Sequence, residues 1–278
     1  MTFIVQNSKP TGLQAAVGQT RKLKPHEIGT SDHALQVTYS VRAMLKESGI
    51  SKENVHLVLI KCPLLTSAKV EMIKAASKTP ATTDTYESMA KSRYASAVGI
   101  AVALDEIEST RLKEAIWNET SWSAKASCSS GAELEDCHIL IIASDPSVGN
   151  LRASSTCMED AIDAGAVLRI LSEVKREHGE VLQVFAKAEA DPRGKIRGKR
   201  HTMNTDSDIH STRHARAAVG GLIAGLVGDT QVYVSVSSCA AVPALLQARC
   251  IDLHHTPKVD ANRGARKDRV LQVAETFA

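Results

Sequence analysis

The stretch VHLVLIKCPLLT, residues 55–66, sets the interpretation of the whole chain. Its run of β-branched and aliphatic residues predicts a buried strand. Lys61 stands at the end of that run, directly before Cys62 and Pro63. Because lysine is among the residues least often buried, Lys61 is a candidate functional residue. A strand-end lysine that extends its side chain to water fits the same pattern.

Helical and extended segments alternate on both sides of this strand. Helices are predicted over SDHALQVTYSVRAMLKESG with Ser31 and Asp32 as capping candidates, over TTDTYESMAKSRYASAVGIAVALDEI with Asp84 as the cap, over CMEDAIDAGAVLRILSEVK, and from about residue 208 to 227. Extended segments are predicted in WSAKASCSSGAELEDCHILIIAS, on either side of Gly131, and in VLQVFAK and QVYVS. This alternation favours α/β or α+β layers over a helix bundle.

An internal repeat of lysine, arginine and serine runs through these segments. In the first copy, a strand that ends in Lys61 precedes a helix with Arg93, and serines follow in SCSSGAE. In the second copy, the strand VLQVFAK ends in Lys187, the next helix contains Arg213, and Ser235 follows in QVYVS. Two copies of roughly a hundred residues indicate duplicated domains rather than a solenoid.

Composition narrows the class of protein. A chain of 278 residues with 43% hydrophobic content is long enough for two domains with separate cores. We find no membrane-spanning run and no signal peptide, and the six cysteines form no CxxC pair, so a cytoplasmic protein with reduced thiols is expected. The whole chain has a net charge of +3 and 3% aromatic residues, which gives little support for nucleic-acid binding. We therefore interpret the basic segment ANRGARKDR as a solvated tail rather than a nucleic-acid site.

The residue types in the repeat suit acyl transfer on an amide. A serine hydroxyl becomes a nucleophile when a base takes its proton, and a lysine held neutral by burial or a neighbouring cation can be that base. An arginine supplies the cation and binds a carbonyl oxygen in a planar fork, and backbone N–H groups near Gly131 are candidate oxyanion donors. A solvated lysine, a surface arginine and strand-edge serines fit the same pattern, so both interpretations stay open.

The histidines give a weaker signal. His210 and His214 stand four residues apart on a predicted helix, a spacing that can hold zinc. The glutamate of an HExxH motif is absent, so ordinary helix histidines are favoured. His254 and His255 are expected in an irregular tail.

Four stretches, KCPLLTSAK, TTDTYESMAKSRYASAVGIA, VFAKAEADPRGKIRGKRHTM and DSDIHSTRHARAAVG, resemble the ring-opening amidohydrolases, the family of cyanuric acid hydrolase and barbiturase. The resemblance extends from about Gly18 to Ser235. It implies three similar domains around a pseudo-threefold axis, each giving a serine, a lysine and an arginine to one central pocket. It also implies hydrolytic ring opening of a cyclic imide or ureide, most simply cyanuric acid to carboxybiuret, in a cytoplasmic homotetramer that requires no cofactor for the chemistry.

The resemblance also implies roles for single residues. Lys61 resembles the catalytic base and Ser129 the nucleophile; the choice of Ser129 over Ser127 or Ser130 rests on the word S-x-G-x-E. Glu189 resembles a ligand of a structural magnesium ion. The implied substrate-binding residues are Arg93, Ser129, Ser130, Lys187, Arg213 and Ser235.

The sequence departs from the family towards both ends. We expect residues 1–17 to be a remnant of a first domain or irregular, residues 18–145 to form the middle repeat domain with the Ser-Lys pair, and residues 146–278 to form the third, with a divergent tail from about residue 236. The expected fold is therefore α/β, with two of the three repeat domains. A barbiturase and a catalytically inactive truncated family member remain as alternatives to a cyanuric acid hydrolase.

Overall fold

A computed structural model of the chain describes residues 12–119, 121, 123–145, 147–148, 151–188, 195–201, 211–236 and 248–255. These residues fall into two compact units. The first is built on residues 15–143, and the second on residues 12–14, 144–236 and 248–255. None of the described helices is long and apolar enough to cross a membrane.

The first unit is a four-stranded sheet covered by helices. Its elements, in chain order, are β1 (Leu13–Gln19), α1 (Ser31–Ser48), β2 (Val55–Pro63), α2 (Ser67–Ala75), α3 (Thr85–Ala103), α4 (Leu112–Asn118), β3 (Ala126–Gly131) and β4 (His138–Ser144). The strand order is β1-β4-β2-β3, with β3 parallel and β4 antiparallel to β2. The stretch that carries Lys61 therefore forms an inner strand of the sheet, as its apolar run predicts.

The two long helices of this unit have clear local signals at their ends. Asp84 caps α3 by accepting a hydrogen bond from the Glu87 N–H, as predicted. In α1 the N-cap is Thr30 rather than Ser31 or Asp32, and the helix ends at Gly49, whose φ of 68° lies in the left-handed region that favours glycine. The two helices pack closely, since a Cβ on Gly99 would lie 2.4 Å from the Ala34 carbonyl oxygen.

A polar group is buried between the helices and the sheet. His33 on α1 is 0% exposed, and its Nδ1 accepts a hydrogen bond from the Gly29 N–H at 3.2 Å. Its Nε2 lies 3.1 Å from Ser96 Oγ on α3 and 3.2 Å from Cys137 Sγ. Burial lowers the pKa of His33 to about 3, so the ring is neutral at neutral pH and its Nε2 carries the proton.

The second unit repeats the topology of the first. Its elements are β5 (Leu151–Met158), α5 (Ala164–Arg176), β6 (Glu180–Ala188), the short strands β7 (Lys195–Ile196) and β8 (Lys199–Arg200), α6 (Ser211–Val227), β9 (Val232–Val236) and β10 (Ala248–His255). The large sheet has the order β5-β10-β6-β9, with β9 parallel and β10 antiparallel to β6. Strand for strand this is the order of the first sheet, which supports the duplication read from the sequence.

Several sequence predictions differ from the structure in this unit. The segment CMEDAIDAGAVLRILSEVK is not helical throughout, because β5 extends to Met158 and α5 begins at Ala164, capped by Asp163. His254 and His255 lie in β10, paired with both β5 and β6, and not in an irregular tail. The start of the helix predicted from residue 208 lies outside the described residues.

Candidate active site

Lys61 and Ser129 stand side by side on adjacent parallel strands. The register of β2 and β3 pairs Lys61 directly with Ser129, and Leu59 with Ser127. Neighbouring strands lie about 4.8 Å apart, so both side chains project from one face of the sheet at its carboxyl edge. Of the two serines on that face of β3, Ser129 is the one next to Lys61. The Ser129 Oγ makes a long 3.4 Å contact with the Ile60 carbonyl oxygen.

Lys61 forms an ion pair with Glu133, which follows β3. Its Nζ lies 3.0 Å from Glu133 Oε1, and the side chains of Lys61 and Glu133 are 32% and 60% exposed. A hydrogen bond from its own backbone N–H and the Lys61 ammonium lower the pKa of the Glu133 carboxyl. Sequence reasoning used Glu133 only as part of the S-x-G-x-E word and missed this contact. An acidic residue just after the serine strand was the available signal.

Two features of the surrounding structure allow the Glu133 carboxylate to lie beside Lys61. A Cβ on Gly131 would lie 2.4 Å from each of its carboxylate oxygens, so the carboxylate occupies space that only glycine leaves open. Lys69 on α2 donates hydrogen bonds to the carbonyl oxygens of Leu64, at 3.2 Å, and Leu134, at 2.8 Å. Lys69 thereby ties the segment that contains Glu133 to the end of β2. Burial lowers the pKa of the Lys69 amine.

A second set of hydrogen bonds supports the strands from the helix side. The Cys62 thiol donates to the Ser129 carbonyl oxygen at 3.1 Å. Ser92 on α3 donates to the Pro63 carbonyl oxygen and lies 3.2 Å from Cys62 Sγ. Cys62 and Ser92 are both 0% exposed, so these contacts fix the ends of β2 and β3 where Lys61 and Ser129 lie.

Arg93 and Ser130 occupy different positions near this edge. Arg93 lies on α3, which packs on β2 and β3; it is 7% exposed, and its Nε donates to the Met89 carbonyl oxygen at 2.9 Å. Ser130 pairs with Cys62 in the strand register, so its side chain leaves the opposite face of β3 from Ser129. Within the described residues the buried Ser130 Oγ has no hydrogen-bond partner.

In the second unit, Lys187 and Ser235 repeat the relation of Lys61 and Ser129. The register of β6 and β9 pairs Lys187 directly with Ser235. Lys187 is 7% exposed. Arg213 lies on α6, the helix that packs on β6 and β9, as Arg93 lies on α3. The two strand pairs thus place lysine next to serine in the same way.

The expected metal ligand cannot be placed. Glu189 lies outside the described residues, as does His210. In the described ranges, no group of three or more His, Cys, Asp or Glu side chains is arranged to hold a metal ion. His214 lies on α6 with a buried Nε2 that has no hydrogen-bond partner among the described residues.

Comparison with known sequences identifies relatives of the chain. A family model described as "Amidohydrolase ring-opening protein" matches residues 4–244. A cyanuric acid amidohydrolase from Sarocladium sp is 60% identical over 238 residues, which are 84% of this chain and 70% of the relative. A cyanuric acid amidohydrolase from Rhodococcus sp is 54% identical over 228 residues, 81% of this chain and 65% of the relative. The chain thus spans about two thirds of the length of these relatives.

Solved structures agree with the sequence comparison. A crystal structure of the cyanuric acid hydrolase from A. caulinodans matches with a TM-score of 0.78 and 41% identity, over 88% of this chain and 72% of that one. A second cyanuric acid hydrolase structure matches with a TM-score of 0.74 and 38% identity, over 90% and 71%. These matches confirm the α/β layered fold and the resemblance read from the sequence. The chain belongs to the family of ring-opening amidohydrolases.

Proposed function

We propose that this chain hydrolyses one ring amide of cyanuric acid to give carboxybiuret, with Ser129 as the nucleophile and Lys61 as its base. The observation that carries the proposal is the strand register, which sets Lys61 beside Ser129 at the carboxyl edge of the first sheet. The family match supports the reaction class, and the relatives named above are cyanuric acid amidohydrolases.

The proposed reaction runs through an acyl-enzyme. Neutral Lys61 accepts the Ser129 hydroxyl proton while Oγ bonds to a ring carbonyl carbon, and the carbonyl π electrons move to oxygen. Backbone N–H groups after Ser129 and the Arg93 guanidinium stabilise the oxyanion. As the C–N bond breaks, the ring nitrogen takes the proton from Lys61, and water then attacks the ester and releases the carboxylated product.

The remaining substrate contacts are proposed from the resemblance. Ser130 contributes backbone contacts, and Lys187, Arg213 and Ser235 bind substrate through the second repeat. The match between the Lys187–Ser235 and Lys61–Ser129 registers supports this assignment. We take residues 18–145 and 146–278 as the two repeat domains that contribute these sets.

We also propose that the chain works as a cytoplasmic homotetramer on a small-molecule substrate, not on nucleic acid or at a membrane. The buried thiols of Cys62, Cys128 and Cys137 are reduced, which fits a reducing compartment. Light scattering after size-exclusion chromatography measures the oligomeric state directly. A structural magnesium ion at Glu189 stays an expectation of the family resemblance, and metal analysis of the purified protein tests it.

Two serine variants test the proposed nucleophile. Ser129→Ala removes the attacking oxygen, so kcat for loss of cyanuric acid should fall about a thousandfold or more. Ser127→Ala is the matched control, because Ser127 lies on the same face of β3 but beside Leu59; its kcat should stay within a few-fold of the unmodified chain. Loss of turnover in Ser127→Ala with retention in Ser129→Ala would move the nucleophile.

A further inference from the structure

The Lys61–Glu133 ion pair has no role in the reaction as described so far. It is nevertheless supported from three directions: the 3.0 Å contact itself, the space left by Gly131, and the two hydrogen bonds by which Lys69 fastens the following segment. An incidental surface pair needs none of these supports. Their convergence indicates that the position of the carboxylate serves the lysine.

We infer that Glu133 is a positioning residue for Lys61. Its carboxylate holds the Lys61 amine at the end of β2 beside Ser129, and it stabilises the ammonium that forms when Lys61 accepts the serine proton. This inference rests on the proposed function of Lys61 and deepens it.

The proton balance gives the carboxylate a defined part. Before attack, Lys61 must first release to solvent the proton that it holds in the ion pair, while Ser129 keeps its proton. When Oγ bonds to the ring carbonyl carbon, the proton moves to Nζ, and the new ammonium lies next to the negative charge of Glu133 at the 3.0 Å distance seen here. The proton then leaves with the ring nitrogen, so Glu133 stays ionised throughout and exchanges no proton itself.

Other charged groups surround the pair. Lys69 is a further cation whose charge also lowers the pKa of the Glu133 carboxyl. On the other side of β2, His138 pairs with Lys61 in the strand register, and its Nε2 lies 3.0 Å from Asp136 Oδ1. The remaining charged side chains on α3 and the segment after β3 are Glu87, Lys91, Arg93 and Glu135. Of these, Lys91 pairs with Glu87 and Glu135 with Lys22.

In sequence, the second repeat has no acidic residue at the position that corresponds to Glu133. In the first copy the residues from Ser129 read SSGAE, whereas from Ser235 they read SVSSC. Glycine and glutamate are therefore both replaced where the second copy has its serine. The proposed role of Glu133 is therefore specific to the first copy.

Glu133→Gln tests the inference by removing the charge and keeping the size. Because the pair is partly exposed, kcat/KM on its high-pH plateau should fall only about 3- to 10-fold, with most of the loss in kcat. Without the carboxylate the ammonium loses its proton more readily, so the ascending limb of kcat/KM against pH should move about half a unit to one unit lower. A purely structural role of Glu133 would not move that limb.

Glu135→Gln is the matched control. Glu135 lies two residues further along the same segment, and its carboxylate pairs with Lys22 at 2.6 Å, away from Lys61. Its kcat/KM and pH profile should match those of the unmodified chain. Equal effects of the two substitutions would assign the change to the general charge of the segment and overturn the inference.

A second measurement does not depend on turnover. Acetic anhydride acylates neutral amines, so at a fixed pH the labelling of Lys61, followed by peptide mass spectrometry, should be about 3-fold faster or more in Glu133→Gln and unchanged in Glu135→Gln. If the unmodified chain shows no turnover but Lys61 labelling responds in this way, the proposed function fails and the positioning role stands. If neither the labelling nor the pH limb responds, the positioning role is wrong.

Discussion

Each unit carries a lysine at the equivalent place on the corresponding strand of its own sheet, yet the surroundings of the two lysines differ. Lys61 is partly exposed and pairs with Glu133, whereas Lys187 is 7% exposed. Both lie directly beside a serine on a parallel strand. The difference teaches that the sheet fixes where the lysine and serine stand, while in the first unit the segment after the serine strand supplies the charge that the lysine meets.

Replacing each lysine by methionine gives the largest expected contrast between the units. Lys61→Met removes the proposed base and should lower kcat about a thousandfold or more, while the long apolar chain preserves packing. Lys187→Met removes a proposed charged substrate contact and should raise KM about 10- to 100-fold with little change in kcat. Steady-state kinetics with cyanuric acid measure both.

Lys52→Met is the control for these two variants, since Lys52 is exposed and pairs with Asp105 on the surface of the first unit. Its kinetics should be unchanged. A large loss of kcat in Lys187→Met together with a KM effect in Lys61→Met would exchange the roles of the two repeats.

The stability of the chain at acid pH should depend on two histidines of the first unit, and this effect is smaller than the kinetic effects of the lysine substitutions. Burial lowers the pKa of His33 to about 3 and that of His56 to about 4. The unfolded chain takes up these protons near pH 6.5 and the folded chain only near those lower values. The contribution of both histidines to stability is therefore full above pH 6.5 and is lost as the pH falls. For His33 alone, going from pH 7 to pH 5 should cost about 2 kcal/mol.

Urea unfolding followed by circular dichroism between pH 7 and pH 5 checks this dependence. His33→Gln removes the titrating ring, so the variant should be less stable at pH 7 but lose less stability on acidification. His178→Gln, a substitution in the second unit, should keep the slope of the unmodified chain. An unchanged slope in His33→Gln would show that other groups cause the acid sensitivity.

The smallest expected effect concerns Gly131, which the first serine segment has and the second lacks. In Gly131→Ala the new Cβ would meet the Glu133 carboxylate oxygens at 2.4 Å, so the carboxylate must leave Lys61. We expect kcat/KM to fall about 3- to 10-fold, as for the loss of one partly exposed pair.

Gly221→Ala is the control, because a Cβ at Gly221 on α6 meets nothing within 4 Å. Alanine is favoured over glycine in a helix by about 1 kcal/mol, so this variant should be slightly more stable and equally active. Full activity in Gly131→Ala would mean that the displaced carboxylate does not matter to the lysine.

The sequence predicts those elements whose local pattern agrees with their final environment. The apolar run of β2 and the capped, small-residue helix α3 are recognisable because the buried strand and the close helix contact need those residue types. Strands β1 and β5 are missed, since LQAAVGQ and LRASSTCM have little β-branched character and become strands by pairing within their sheets. The Glu133 contact is missed because it joins the ends of two strands that are far apart in sequence.

The long connection between β2 and β3 affects when the site forms during folding. These strands are neighbours in the sheet, but α2, α3 and α4 lie between them in the chain. The lysine and the serine meet only after this crossover has closed, and closing a long loop carries an entropic cost before its contacts form. We therefore expect the Lys61–Ser129 pair to be assembled late on the folding pathway, after the helices between its two strands have formed. During synthesis, Lys61 and Ser129 would thus come together only after the whole crossover has been made and β3 has paired with β2.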